Sequence, residues 1–174
     1  MEVVCPLTIL RQKSLLWRLK NNVEKQIRKR KTQSRSRGPH AEHMVMVKLI
    51  QEGWLPAKGP EGAPVDIFAL SQNYPLKMAA VQAKSVYIGN SGTHINEIEF
   101  LEQSGPVYVI VVETKRGEYT YLVLSNAEMK TEVKKNGRFY LKDRKYYITV
   151  PKSLRGFEQY KEAWNKVSEY ARLI

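Results

Sequence analysis

The sequence contains one cysteine, Cys5, in 174 residues. A single thiol cannot build an internal disulfide framework, and a reducing, intracellular setting is expected. With only three histidines beside it, ligands for a structural zinc site are scarce too. No apolar run approaches the roughly 20 residues needed to span a bilayer, so no membrane partner is expected. Met1 to Leu10 are too short, and too interrupted at Cys5-Pro6, to read as a signal peptide. No repeat or low-complexity tract is visible. Acids are also under-represented: 17 Asp and Glu stand against 29 Lys and Arg, a net charge of +12.

What is present suffices for one compact domain with an appendage, since hydrophobic residues make up 43% of the chain and charged residues 26%. The positive charge is localised. Residues 11–37 hold 11 Lys and Arg against the single acid Glu24, and the rest of the chain is near balance. Such a segment concentrates positive potential, and the usual polyanion it meets is nucleic acid. Lys25, Arg28, Lys29, Arg30, Lys31, Arg35 and Arg37 are the expected phosphate contacts, and a nucleoid-associated location would follow. The plainer alternative is a solvated tail that aids solubility. A membrane surface fits less well, because no Trp/Phe-rich face accompanies the charges.

Hydrophobic spacing divides the chain into an arm, 1–37, and a domain, 38–174. In the arm, Leu15, Leu19, Val23 and Ile27 recur every four residues and predict a helix over 7–31, followed by a linker. That stripe needs a partner, either its own domain or a second copy of the chain. A helix over about 39–53 starts at Pro39 and ends at Gly53. Strands are predicted at 54–57, 65–70 and 78–84, then a flexible loop over 89–93 and a short helix over 95–103. Val107–Glu113 is almost wholly apolar and β-branched, as expected of a central buried strand. Tyr119–Leu124 reads as its hairpin neighbour, and 138–141 with 145–150 as a second hairpin outside the central sheet. A helix over about 156–173 would carry Phe157, Tyr160, Trp164, Val167 and Ala171 on one face. The fold class is α/β, a mixed sheet flanked by helices, with a basic N-terminal helix.

Three polar residues occupy positions where the pattern predicts apolar ones. Asp66 lies within Val65-Asp66-Ile67-Phe68, and an unpaired buried carboxylate costs several kcal/mol. Gln82 and Lys84 are two apart in Ala79–Lys84, so they share a face. If the two strands pair, the three side chains converge. Glu42, on the helix over 39–53, lies at offsets of three, four and seven from Val45, Met46 and Leu49, which predicts an inward-facing acid. These residue types suit phosphodiester hydrolysis. Mg²⁺ takes oxygen ligands, here the Asp66 carboxylate, the Gln82 carbonyl and Glu42 directly or through water. Lys84 supplies positive charge for hydroxide or for the pentavalent phosphate.

Pro64-Val65-Asp66, then Gln82-Ala83-Lys84 across a hairpin, with Glu42 on the preceding helix, resembles the PD-(D/E)XK nuclease superfamily. Within it the chain resembles archaeal Holliday junction resolvases and PD-(D/E)XK homing endonucleases. The resemblance covers about residues 38–113. It implies a restriction-endonuclease-like core and Mg²⁺-dependent DNA cleavage leaving a 5′-phosphate, with Mn²⁺ able to substitute. It also implies a homodimer or higher homo-oligomer, because two strands need two sites. Asp66, Gln82 and Lys84 would be the signature residues and Glu42 the helix acid. The departure is Gln82, which stands where most members carry Glu or Asp and removes one negative charge from the site.

Each of these residues also has a plainer reading. Asp66 would cap the turn after Gly62-Ala63-Pro64. Gln82 and Lys84 would belong to an edge strand with a wet face. Glu42 would favour the helix N-terminus. Ser85 is a further phosphate-contact candidate and Lys58 a backbone-tracking one, although either suits ordinary surface. A lone His94 is seldom catalytic. Tyr146 and Tyr147 suit either base stacking or strand packing. Three functions therefore stay open. The first is a metal-dependent DNA endonuclease, on branched or structured DNA among other substrates. The second is a catalytically inactive nuclease-fold protein that binds nucleic acid. The third is an RNA-binding or structural protein with an Asp66–Lys84 ion pair.

Overall fold

A computed structural model describes residues 38–61, 63, 65–73, 75–87, 92–97, 101, 105–140, 143–151 and 153–173. The chain divides into two units after Arg37. The predicted helix over 7–31, its linker and the seven arm residues expected to contact phosphate lie outside the described residues. Every described helix and strand belongs to the second unit, Gly38–Ile174.

Helix α1 covers residues 38–51 and buries Ala41, Val45 and Leu49, a stripe at four-residue spacing. It stops where the sequence predicts: Gly53 has φ +83°, a left-handed conformation that glycine adopts without steric cost. Strands β1 (Trp54–Lys58), β2 (Ile67–Ser71) and β3 (Lys77–Tyr87) succeed it as an antiparallel meander. β4 is Gly92–Asn96, β5 Val107–Lys115 and β6 Glu118–Leu124. The main sheet runs β1-β2-β3-β5-β6, with β5 parallel to β3 and antiparallel to β6. Val107 to Val112 are all buried, as a strand covered on both faces requires. The sheet is therefore mixed and the architecture α/β, in agreement with the sequence.

The alternation of β3 and β5 sends side chains into two cores. Val81, Val107, Val109 and Val111 pack with Ala41, Val45 and Leu49 of α1 on one face. Val86, Tyr108, Ile110 and Val112 face the other way, into a core shared with Ile95, Met129 and Ile148.

Three elements differ from expectation. Gly92–Asn96 is a strand, β4, where local spacing predicts a loop and the start of a helix. It pairs with β8 (Lys145–Thr149), which pairs with β7 (Gly137–Tyr140), so the second hairpin forms a separate three-stranded sheet. Helix α2, Asn126–Asn136, has no counterpart in the periodicity, because only Met129 and Val133 give it an apolar face. Its start is nonetheless written in the sequence. Ser125 Oγ accepts from the Glu128 N–H at 3.2 Å while Glu128 accepts from the Ser125 N–H at 2.8 Å, a capping box. Lys166 Nζ closes on Glu128 at 2.7 Å.

The third difference is the C-terminal helix. In its place stand a single 3₁₀ turn at Glu158–Tyr160, helix α3 (Asn165–Tyr170) and strand β9 (Arg172–Leu173), which pairs with the start of β3. All five residues of the expected stripe are at least partly buried, yet Phe157 and Tyr160 enter the second core while Trp164, Val167 and Ala171 enter the first. One straight helix cannot serve both faces of a sheet. The chain bends at Glu162, φ +51°, and bonds there to β6: Glu162 N–H donates to the Tyr121 carbonyl at 2.8 Å, and the Tyr121 N–H donates to the Glu162 carboxylate at 3.0 Å.

Candidate metal and phosphate site

Asp66 occupies the last position before β2. Its N–H donates to the Val81 carbonyl at 3.1 Å, which sets it beside Gln82, since Ile67 is registered with Val81. A tight crossing holds it there. The Gly59 N–H donates to the Asp66 carbonyl at 2.7 Å, and a Cβ on Gly59 would run into the Val65 carbonyl oxygen. Only glycine lets the end of β1 come this close.

The side chains of Asp66 and Gln82 meet. Gln82 Nε2 donates to Asp66 Oδ2 at 2.7 Å, and the Ala83 N–H donates to the same oxygen at 2.8 Å. Gln82 is 8% exposed. Its Oε1 is buried without a hydrogen-bond partner, a state that costs about 1–3 kcal/mol if nothing satisfies it. Lys84 comes two residues later and shares the face of Gln82, registered with Ile110 as Gln82 is with Tyr108. The structure thus brings Asp66, Gln82 and Lys84 to one face, as their spacing predicts.

Glu42 and Ser85 are placed differently. The stripe of α1 that faces the sheet is Ala41, Val45 and Leu49, so Glu42 sits one position to its side. Moreover, α1 covers the face opposite Gln82 and Lys84. The Glu42 carboxylate is engaged by Lys58 Nζ at 3.3 Å, and Lys58 is the β1 residue registered with Ile67, next to Asp66. Glu42 thus reaches the end of the sheet near Asp66 by way of Lys58. Lys58, expected to track a DNA backbone, spends its charge on that acid. Ser85, expected to contact phosphate beside Lys84, is turned by strand alternation toward the α1 face, with Ala83.

His94 on β4, a lone histidine that carries little weight in the sequence, is coupled electrostatically to Lys84 of the site. Burial, then the charges of Lys84 and Lys145, lower its pKa from 6.5 to about 4 against an opposing pull from Asp143. No local motif announces this, because the burial of His94 comes with the pairing of β4 to β8, about 50 residues further along the chain. The imidazole is consequently neutral at neutral pH. A folded-state value below the unfolded one means that acid favours the unfolded chain. Stability attributable to His94 is therefore full above pH 6.5 and is lost as pH falls toward 4. His94→Asn is expected to shrink the difference between urea midpoints measured at about pH 7 and about pH 5. An undiminished difference would place the acid sensitivity elsewhere.

Among the described residues, no three His, Cys, Asp or Glu side chains gather as a metal cluster. A cation here would instead use one carboxylate and one amide oxygen. Those two groups fit a hard cation: Asp66 supplies negative charge, and Gln82 Oε1 is an acceptor in want of a partner. No protein-family model matches the chain, and no curated protein matches it.

Proposed function

We propose that the chain is a metal-dependent DNA endonuclease of the PD-(D/E)XK type. The observation that supports this best is the buried, unpartnered Gln82 Oε1 beside the Asp66 carboxylate, with Lys84 next on the same face. In this reading Asp66 and Gln82 hold Mg²⁺, or Mn²⁺ in its place, and Glu42 adds negative charge from the end of the sheet. A bound divalent cation polarises a phosphoryl oxygen and acidifies a water. Lys84 stabilises the charge that builds on the phosphate. The basic arm over 11–37 supplies phosphate contacts that hold DNA without reading its sequence.

One observation favours the second reading, an inactive DNA-binding protein. The Gln82 amide group already donates to Asp66, so the carboxylate is satisfied by the chain itself. Cleavage separates the two. The full chain is incubated with supercoiled, linear and four-way-junction DNA, in Mg²⁺, in Mn²⁺ and in EDTA. Nicking or cutting that needs the metal and is lost in Lys84→Ala is the expected result. Binding without cutting under every condition would replace the first reading with the second.

A further inference from the structure

The small sheet turns its two faces to different surroundings. Thr93, Ile95 and Ile148 are buried on one face. The register places His94, Tyr147 and Arg138 abreast on the other, with Lys145 and Tyr140 abreast one pair further along. The strand order β4-β8-β7 makes this face a row of rings. His94 and Tyr147 have centroids 5.5 Å apart, and Tyr147 and Tyr140 4.8 Å. Tyr140 is 48% exposed. The three strands carry no acid, and the two acids that flank them are engaged: Asp143 accepts from the Tyr147 hydroxyl at 3.3 Å, and Glu97 pairs with Arg144 at 2.6 Å. Rings for cross-strand packing alone have no need of two cations among them.

We propose that this face binds an unpaired stretch of DNA, its bases stacking on Tyr140 and Tyr147 and its phosphates meeting Arg138 and Lys145. The chemistry selects this occupant. An aromatic ring can stack on a base only when the base is out of a duplex, and every base has such a face. The cations of the face complement a phosphate backbone. His94 stands at the end of the row, and the charge of Lys84 acts on its imidazole, which ties the row electrostatically to the candidate site. The inference deepens the endonuclease reading by naming single-stranded character as the feature of the substrate that is recognised.

The test is binding in EDTA, which reads the face whether or not the chain cuts. Fluorescence anisotropy compares a labelled single strand of about 20 nucleotides with a blunt duplex of equal length. Tyr140→Leu is expected to lower the single-strand affinity about tenfold, the loss of one base–aromatic stack, and to lower the ratio of single-strand to duplex affinity by a similar factor. Tyr140→Phe keeps the ring and is expected to keep the ratio. Arg138→Gln with Lys145→Gln is expected to reduce the steepness of the salt dependence by about two phosphate contacts. Tyr140 is exposed, so its variants are expected to fold; Tyr147→Leu repeats the measurement at a half-buried ring, with thermal melting as a check. If Tyr140→Leu and Tyr147→Leu both leave the ratio within about twofold of the wild-type value, the proposal is overturned. A chain that binds single strands through these rings and never cuts DNA would overturn the endonuclease reading alone.

Discussion

Asp66→Asn is expected to remove metal-dependent cleavage, by on the order of 10²- to 10³-fold or more, while leaving the fold intact. The two consequences separate because of how Asp66 is held. Its Oδ2 accepts from Gln82 Nε2 and from the Ala83 N–H. An asparagine oxygen can accept the same two bonds, so only the negative charge is lost. Asp66→Ala differs. It strands both donors in a partly buried place, and at about 1–3 kcal/mol for each the fold should lose roughly 2–6 kcal/mol. Plasmid nicking and thermal melting on the two variants read these effects independently. Undiminished cleavage by Asp66→Asn would remove Asp66 from the site. An unaltered melting temperature in Asp66→Ala would mean the contacts at 2.7 and 2.8 Å contribute little to stability.

Gln82→Glu tests the proposed site by supplying the acid that the PD-(D/E)XK pattern carries at this place. The substitution replaces the donor on Asp66 with a second carboxylate, at a site where the two side chains are 2.7 Å apart. Without metal, two close carboxylates repel, and the lost hydrogen bond adds to the cost; a destabilisation on the order of 2–4 kcal/mol is expected. A divalent cation would be held by both carboxylates. Saturating Mg²⁺ should then return roughly 2–3 kcal/mol, the stabilisation that a ligand gives near a hundredfold excess over its dissociation constant. Cleavage should rise with it. The measurement is the urea midpoint of wild type and variant in EDTA and in Mg²⁺. Destabilisation that Mg²⁺ does not relieve would favour the inactive reading.

The position of Gln82 explains how one residue can serve both readings. Its amide is two groups in one: a donor that satisfies Asp66, and a buried acceptor without a hydrogen-bond partner. Glutamate at the same place needs a cation or a proton to sit beside Asp66. Glutamine relieves that need at the cost of weaker electrostatic attraction for Mg²⁺. A chain of this kind would fold without metal and take one up when DNA phosphate helps to complete the coordination.

Local patterning was enough for β1, β2, β3, β5 and β6 and for the side chains that share a face, though not for β9, which lies where helical spacing predicts a helix. β5 is legible because six consecutive buried positions leave an apolar, β-branched run that no amphipathic element tolerates. Asp66, Gln82 and Lys84 are legible as a group because strand period is a local property of the backbone, and a short turn joins their strands. The end of α1 is equally readable, from Gly53. α2 is readable only through Ser125 and Glu128, since two buried apolar residues make too thin a stripe to show periodicity.

Tertiary structure decided the remainder. Gly92–Asn96 is a strand because β8 offers it a partner, and pairing across about 50 residues leaves no mark in local spacing. The spacing of Phe157, Tyr160, Trp164 and Val167 is that of a helix, but those residues belong to cores on opposite faces of the sheet, and the chain has to bend around β6 to fill both. Glu42 obeys the same logic: helical spacing gives its neighbours, while only the packing of α1 shows which face of the sheet it approaches. Period tells which residues point together. It does not tell what they point at, because burial is decided by elements distant in sequence, as the pairing of β4 with β8 shows.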